Sequence, residues 1–198
     1  MTISKSKGEE MKEKILKTIY RYDENKKIYH IDIQLNDYRD VYSDWDYSPF
    51  VNRDLDEDLL EYLMSCSYEI PKKREFIVDF FLLMHLYDVK RETRSIEGIH
   101  NYFGYKIRQT QSERYRLMRS TVLFFIIGTL LLISTVFSNK IILDPLFDRI
   151  ISEGLFIGAW VAIWEIFSIW FFQVNALGHK IKHYQRLQKS KILYHYKE

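Results

Sequence analysis

Polar and apolar positions divide this chain into two strand-like segments, two helical stripes and two unbroken apolar runs. Tyr29, Ile31, Ile33 and Leu35 alternate with His30, Asp32 and Gln34, which predicts a half-buried strand. Leu55, Leu59, Leu60, Leu63 and Met64 then recur at helical spacing. That segment opens on Asp54, read as an N-cap with Glu57 three residues on, and closes at Pro71. Glu75 to Leu83 (EFIVDFFLL) predicts a second strand. From about Ser95 the apolar positions Ile96, Ile99, Phe103 and Ile107 return to the helical period. No breaker stronger than Gly104 precedes Ser120, so one long helix is expected to continue into the first apolar run. A further helix is expected around Glu9 to Tyr22. Asp37 to Arg53 (DYRDVYSDWDYSPFVNR) fits neither period. It is expected to be an ordered loop packed onto the sheet through Tyr38, Tyr42, Trp45, Tyr47 and Phe50.

The two apolar runs change the picture from a soluble domain to a membrane protein. Ser120 to Ser138 carries no ionisable side chain and as a helix reaches roughly 28 Å, about the thickness of a hydrocarbon core. Gly154 to Val174 reaches roughly 31 Å and contains a single ionisable residue, Glu165. Asp144-Pro145 reads as an N-cap and first helical residue for the second helix. Lys106, Arg108, Arg114, Arg116 and Arg119 flank the first run, and Lys180, Lys182, Arg186, Lys189 and Lys191 come after the second. The connecting loop sets only Lys140 and Arg149 against Asp144, Asp148 and Glu153. The positive-inside rule therefore predicts an outward loop and two cytoplasmic termini. The expected fold class is α+β: a small cytoplasmic β-α-β-α domain (1–112) whose last helix runs into a two-helix transmembrane hairpin (113–178), then a basic juxtamembrane tail (179–198).

Composition narrows the chemistry. A net charge of +2 sets up no global field for nucleic acid, and Cys66, the one cysteine, excludes an intrachain disulfide or a cysteine metal framework. The polar stretch Met1 to Lys14 is expected not to be a leader peptide. No Walker loop, dinucleotide fingerprint, G-x-S-x-G or H-E-x-x-H is present, so an enzyme is not expected and no cofactor is implied. Asp40, Asp44, Asp46, Asp54, Asp56 and Asp58 lack the spacing of a calcium loop, and no metal site is expected. Of the histidines, His179 and His183 are four apart but are read as surface groups in a lysine-rich flank.

Glu165 is the most informative residue. A carboxyl near the bilayer midplane faces a cavity, pairs, or stays protonated. On a helix it shares a face with Gly154 and Gly158, with Ala162 and Ser168 alongside, so a small-xxx-small surface and a carboxyl coincide. In a homo-oligomer, with a tetramer as the guess, Glu165, Gly158, Ala162 and Ser168 would line a cation-permeable pore with Glu153 near its outer mouth. The alternatives are a neutral Glu165 bonded across the hairpin to Thr129 or an indole, and proton or transport chemistry. The basic tail, with Lys180, Lys182 and Arg186, suits anionic lipid headgroups at about 1 kcal/mol per basic residue, or a phosphate-rich ligand. Lys72, Lys73 and Arg74 extend such a ligand surface or are ordinary exposed charge at a strand start.

Three motifs carry a resemblance: RDLD-x-D-x-x-EY from Arg53 to Tyr62, HNYF from His100 to Phe103, and EGLxIGxWVAxW from Glu153 to Trp164. Over about Ile31 to Phe167 the chain is similar to a family of small bacterial two-span membrane proteins that share these elements. It also resembles, in size and layout, the membrane effectors of the Hailong anti-phage system. That resemblance implies an oligomeric channel in the bacterial inner membrane, serving defence and controlled by a nucleotide oligomer made by a partner nucleotidyltransferase. It assigns no individual residue. Without it, a membrane-anchored binding module for a cytoplasmic partner, conducting nothing, fits the same residues.

Overall fold

The computed structural model describes residues 2–141 and 145–198, which form two compact units. The first comprises 1–107 and 182–198, the second 108–181. In chain order the elements are α1 (Thr2–Ile19), β1 (Arg21–Asp23), β2 (Ile28–Gln34), α2 (Glu57–Glu69), β3 (Phe76–Leu83), α3 (Val89–Ile141), α4 (Pro145–Ser168), a π-helical turn (Ile169–Val174), α5 (Asn175–Lys189) and β4 (Lys191–Lys197). Asp144, the expected cap of α4, lies outside the described residues. The class is mixed α and β, as expected. The sheet has four strands where periodicity predicted two. Its order is β1-β2-β3-β4, with β1 antiparallel to β2 and the other neighbours parallel.

Adjacent parallel strands need a crossover. Between β2 and β3 it is the short α2. Between β3 and β4 it is the whole of α3, α4 and α5, so the apolar hairpin is an insertion within a single β-α-β connection. The C-terminal segment, expected as a juxtamembrane tail, instead completes the sheet: Val78 pairs with Ile192 and Phe80 with Tyr194. His183, expected at the surface, is buried at 2% exposure with its Nδ1 2.9 Å from Ser67 Oγ.

Alternation sorts the strands into two faces. Tyr29, Ile31, Val78, Phe80, Ile192 and Tyr194 are buried in a core completed by Leu59 and Leu63 of α2, Ile99 and Phe103 of α3, and Leu187 of α5. On the opposite face every strand residue except Asp79 keeps some solvent exposure. Asp56, not Asp54, caps α2, its carboxylate accepting the Leu59 N–H at 3.1 Å. The reason is the isolated bridge between Tyr42 and Leu55, which holds Leu55 extended and delays the helix.

In the second unit, α3 and α4 are each long and apolar enough to cross a membrane. Only 6% of the most apolar stretch of α3 and 17% of that of the α4–α5 helix are buried, whereas the core helix of a soluble protein would be mostly covered. Large side chains such as Phe125, Leu130, Trp160, Trp164 and Phe172 point outward. The helices meet on small residues: a Cβ added at Gly128 would lie 3.3 Å from the Ala162 Cβ, and one at Gly158 3.4 Å from Leu131 Cδ1.

Candidate functional site

The α2–β3 connection and the α5–β4 turn lie more than a hundred residues apart in sequence, yet they build one cavity. It has a volume of about 470 Å³ and sits where β2, β3 and β4 begin. Ile28, Phe76 and Ile77 form apolar wall, and Lys72, Lys73, Arg74, Arg186, Lys189 and Lys191 supply six cations against one carboxylate, Glu75. A second hollow of about 270 Å³ shares Lys72, Arg186 and Lys189 and adds Lys182, His183 and Gln185.

The six cations are not equivalent. Arg186 is a structural clamp: its guanidinium donates to the Ser67 carbonyl, to Ile70 O at 3.1 Å, to Pro71 O at 3.2 Å and to Arg74 O at 3.0 Å. It also lies 5.0 Å from the centre of the Phe76 ring. These carbonyls belong to the end of α2 and the turn after it, which Arg186 therefore caps from a distant helix. Burial pulls its guanidinium below the ordinary value. Among the described residues no carboxylate pairs with it. Arg74 is held by Glu13 of α1, with Nε and Nη2 both 3.1 Å from Glu13 Oε1, and this raises its value further. Lys73, Lys189 and Lys191 are exposed, and none forms an ion pair among the described residues. They are the cations available to an incoming anion.

The structure thus gathers Lys72, Lys73, Arg74 and Arg186 of the expected ligand residues, with Lys182 in the adjoining hollow. Lys180 belongs to the second unit and lines neither hollow. Lys189 and Lys191 belong to the same basic run but gain their place only because β4 pairs with β3.

A second constellation lies on the exposed sheet face. Asp79 of β3 is 1% exposed, its Oδ2 2.6 Å from His30 Nδ1 on β2 and its Oδ1 2.6 Å from His195 Nε2 on β4. Arg21 of β1 reaches Asp79 Oδ2 at 3.3 Å while holding Asp32 with two hydrogen bonds. One carboxylate therefore ties four strands together. Periodicity gives no sign of it, because His195 lies in a strand that local pattern does not reveal. Among the described residues no three His, Cys, Asp or Glu side chains are arranged to hold a metal ion.

In the hairpin, Gly158 and Ala162 face α3, so helix packing occupies them, and Ala162 is 6% exposed. A Cβ placed on Gly154 would meet nothing within 4 Å, so that end of the small-residue series is open. Glu153 is exposed and pairs with Arg149 at 3.1 Å. Ser168 is half-buried and starts the π-helical turn without a side-chain cap bond. Glu165 is half-buried and forms no hydrogen bond or ion pair among the described residues. Thr129, its suggested partner, donates instead to the Phe125 carbonyl of its own helix at 2.8 Å. No protein family, curated protein or solved structure matches this chain.

Proposed function

We propose that this protein is a ligand-controlled membrane effector: the α/β unit receives a phosphate-rich anion in the basic cavity, and the hairpins of several copies assemble around a cation-permeable path. The observation that carries the reading is the convergence of two distant lysine segments on one cavity, where the exposed Lys73, Lys189 and Lys191 form no ion pair among the described residues. Apolar wall beside fixed cations suits a ligand with both phosphates and flat rings, such as a nucleotide oligomer. Because β3 and β4 flank the hairpin and pair in one sheet, a hairpin that crosses a bilayer must leave and return on the same side. The basic flanks favour the cytoplasm for that side. A Glu165 without a hydrogen bond or ion pair among the described residues supports assembly, since another copy can supply a polar environment. The Hailong resemblance supports a setting in bacterial defence. Gating follows if the ligand binds the conducting and closed assemblies with different affinity.

Two measurements on full-length protein in lipid test these parts separately. Lys73→Glu with Lys191→Glu is expected to weaken binding of a labelled single-stranded oligonucleotide, and of inorganic polyphosphate, by about 100-fold. Each lost contact should also lower the salt slope by about 0.7. Unchanged affinity removes the cavity from consideration. For the pore, Glu165→Gln in liposomes is expected to reduce cation-over-anion selectivity of the flux, and unaltered selectivity and conductance reject the carboxylate ring. One observation favours a membrane-anchored binding module without conductance: packing of Gly158 and Ala162 within the hairpin leaves less small-residue surface for a second copy. Ligand binding without any ion flux would select that reading.

A further inference from the structure

The loop between β2 and α2 was expected to fold its aromatic side chains onto the sheet, and Tyr38 and Tyr42 do so at 1% and 2% exposure. Trp45 and Tyr47 do the opposite, at 97% and 98%. They bracket Asp46, whose carboxylate turns inward to accept the Ser48 N–H at 2.9 Å and the Asp54 N–H at 2.7 Å. Those bonds, with the Ser48 hydroxyl foremost, hold its carboxyl down at about 2, so it stays ionised throughout the neutral and mildly acid range. Further pins are Ser43 N–H to Asp54 O at 2.9 Å, Asp56 N–H to Val41 O at 3.1 Å and Arg53 Nε to Ser48 O at 3.0 Å. The base of the turn is thus ordered before any contact is made, while its two rings lie in water. Trp and Tyr on an ordered backbone are the residue types that dominate binding energy at interfaces, because each offers a large contact area with only two side-chain torsions to fix.

We infer that this loop docks into the basic cavity of a second copy of the chain. The argument is complementarity between two surfaces of one sequence. The loop offers an indole, a phenol and the exposed carboxylate of Asp44, and the first turn of α2 that follows it adds the exposed Glu57 and Asp58. The cavity offers Ile28, Phe76 and Ile77 as wall and Lys73, Lys189 and Lys191 as rim. A chain does not fill its own cavity. Asp56 ties the loop to the N-terminal end of α2 and Arg186 ties the cavity to the C-terminal end, and the 13 residues between them span about 20 Å. Donor and acceptor at opposite ends of one unit make a head-to-tail contact, the kind that closes into a ring when the rotation allows. The inference stands on the cavity's shape and charge, not on its proposed ligand. It has one consequence for that ligand: a polyanion and the loop compete for the same lysines.

The test uses full-length protein in lipid nanodiscs or liposomes. Asp44→Cys and Lys73→Cys variants are purified separately, reconstituted together and oxidised; the native Cys66 is buried and stays out of the reaction. A disulfide-linked dimer is expected in the mixture well above either variant alone. Adding Trp45→Ser and Tyr47→Ser to the Asp44→Cys chain is expected to weaken the contact about 30-fold and to abolish the dimer band. No mixed-specific dimer, or one indifferent to loss of the two rings, overturns the inference. Inorganic polyphosphate should suppress the crosslink. Crosslinking that depends on the two rings but persists in polyphosphate keeps the contact and instead overturns the anion site.

Discussion

Arg186→Leu is expected to lower the stability of the α/β unit by about 3 kcal/mol, because four backbone carbonyls lose the guanidinium at once, and of these Pro71 O keeps the Arg74 N–H at 2.9 Å. Each is an acceptor at the end of α2 or in the turn after it, and leucine offers nothing in return beyond contact with Phe76. For a unit of this size the loss corresponds to a fall in Tm of about 10 °C. Thermal unfolding of the detergent-solubilised protein reads it directly. Arg186→Lys should recover only a fraction, since an ammonium group cannot direct planar donors to four oxygens. A loss below about 1 kcal/mol would mean that water replaces the clamp without cost and that α2 ends independently of α5. The variant separates folding from binding, which matters because Arg186 also lines the cavity: its charge adds to the potential there, but its hydrogen bonds are already committed to the protein.

Asp79→Ala carries an expected cost of similar size, about 3 kcal/mol, for a different reason. The carboxylate is buried and accepts short hydrogen bonds from two imidazoles on the two neighbouring strands, and hydrogen bonds to a charged group contribute roughly 1.5–3 kcal/mol each. Asp79→Asn should lose about half as much, because the amide oxygen still accepts one of them. A double-mutant cycle with His195→Ala is the decisive measurement. A coupling energy above about 1 kcal/mol is expected, and additive losses would show that the β3–β4 pairing stands without this link. Because β4 lies at the edge of the sheet and pairs with β3 alone among the described residues, hydrogen exchange in residues 191–197 should accelerate first in the Asp79 variants.

Much of the architecture was legible from local pattern. The β2 alternation, the β3 apolar run, the α2 stripe and the two long apolar runs each carry their signal within a short window of contiguous residues, where local pattern is enough to mark the element. The errors share a cause. Asp54 looked like the cap of α2 because Glu57 follows three residues later, the capping-box spacing; the Tyr42–Leu55 bridge moved that task to Asp56. Trp45 and Tyr47 looked like core because aromatic side chains usually are, and only the inward turn of Asp46 sends them outward.

The sequence by itself determined that this chain holds two membrane-length apolar helices, an α/β portion and basic flanks around the hairpin, since those properties reside in contiguous residues. Tertiary structure alone decided that KILYHYK is a strand, that His30, Asp79 and His195 meet, and that the lysines of 72–73 and 189–191 share a cavity. Pairing β4 with β3 brings together segments separated by the entire hairpin, and its stability comes from hydrogen bonds and core contacts with a partner that no local window contains.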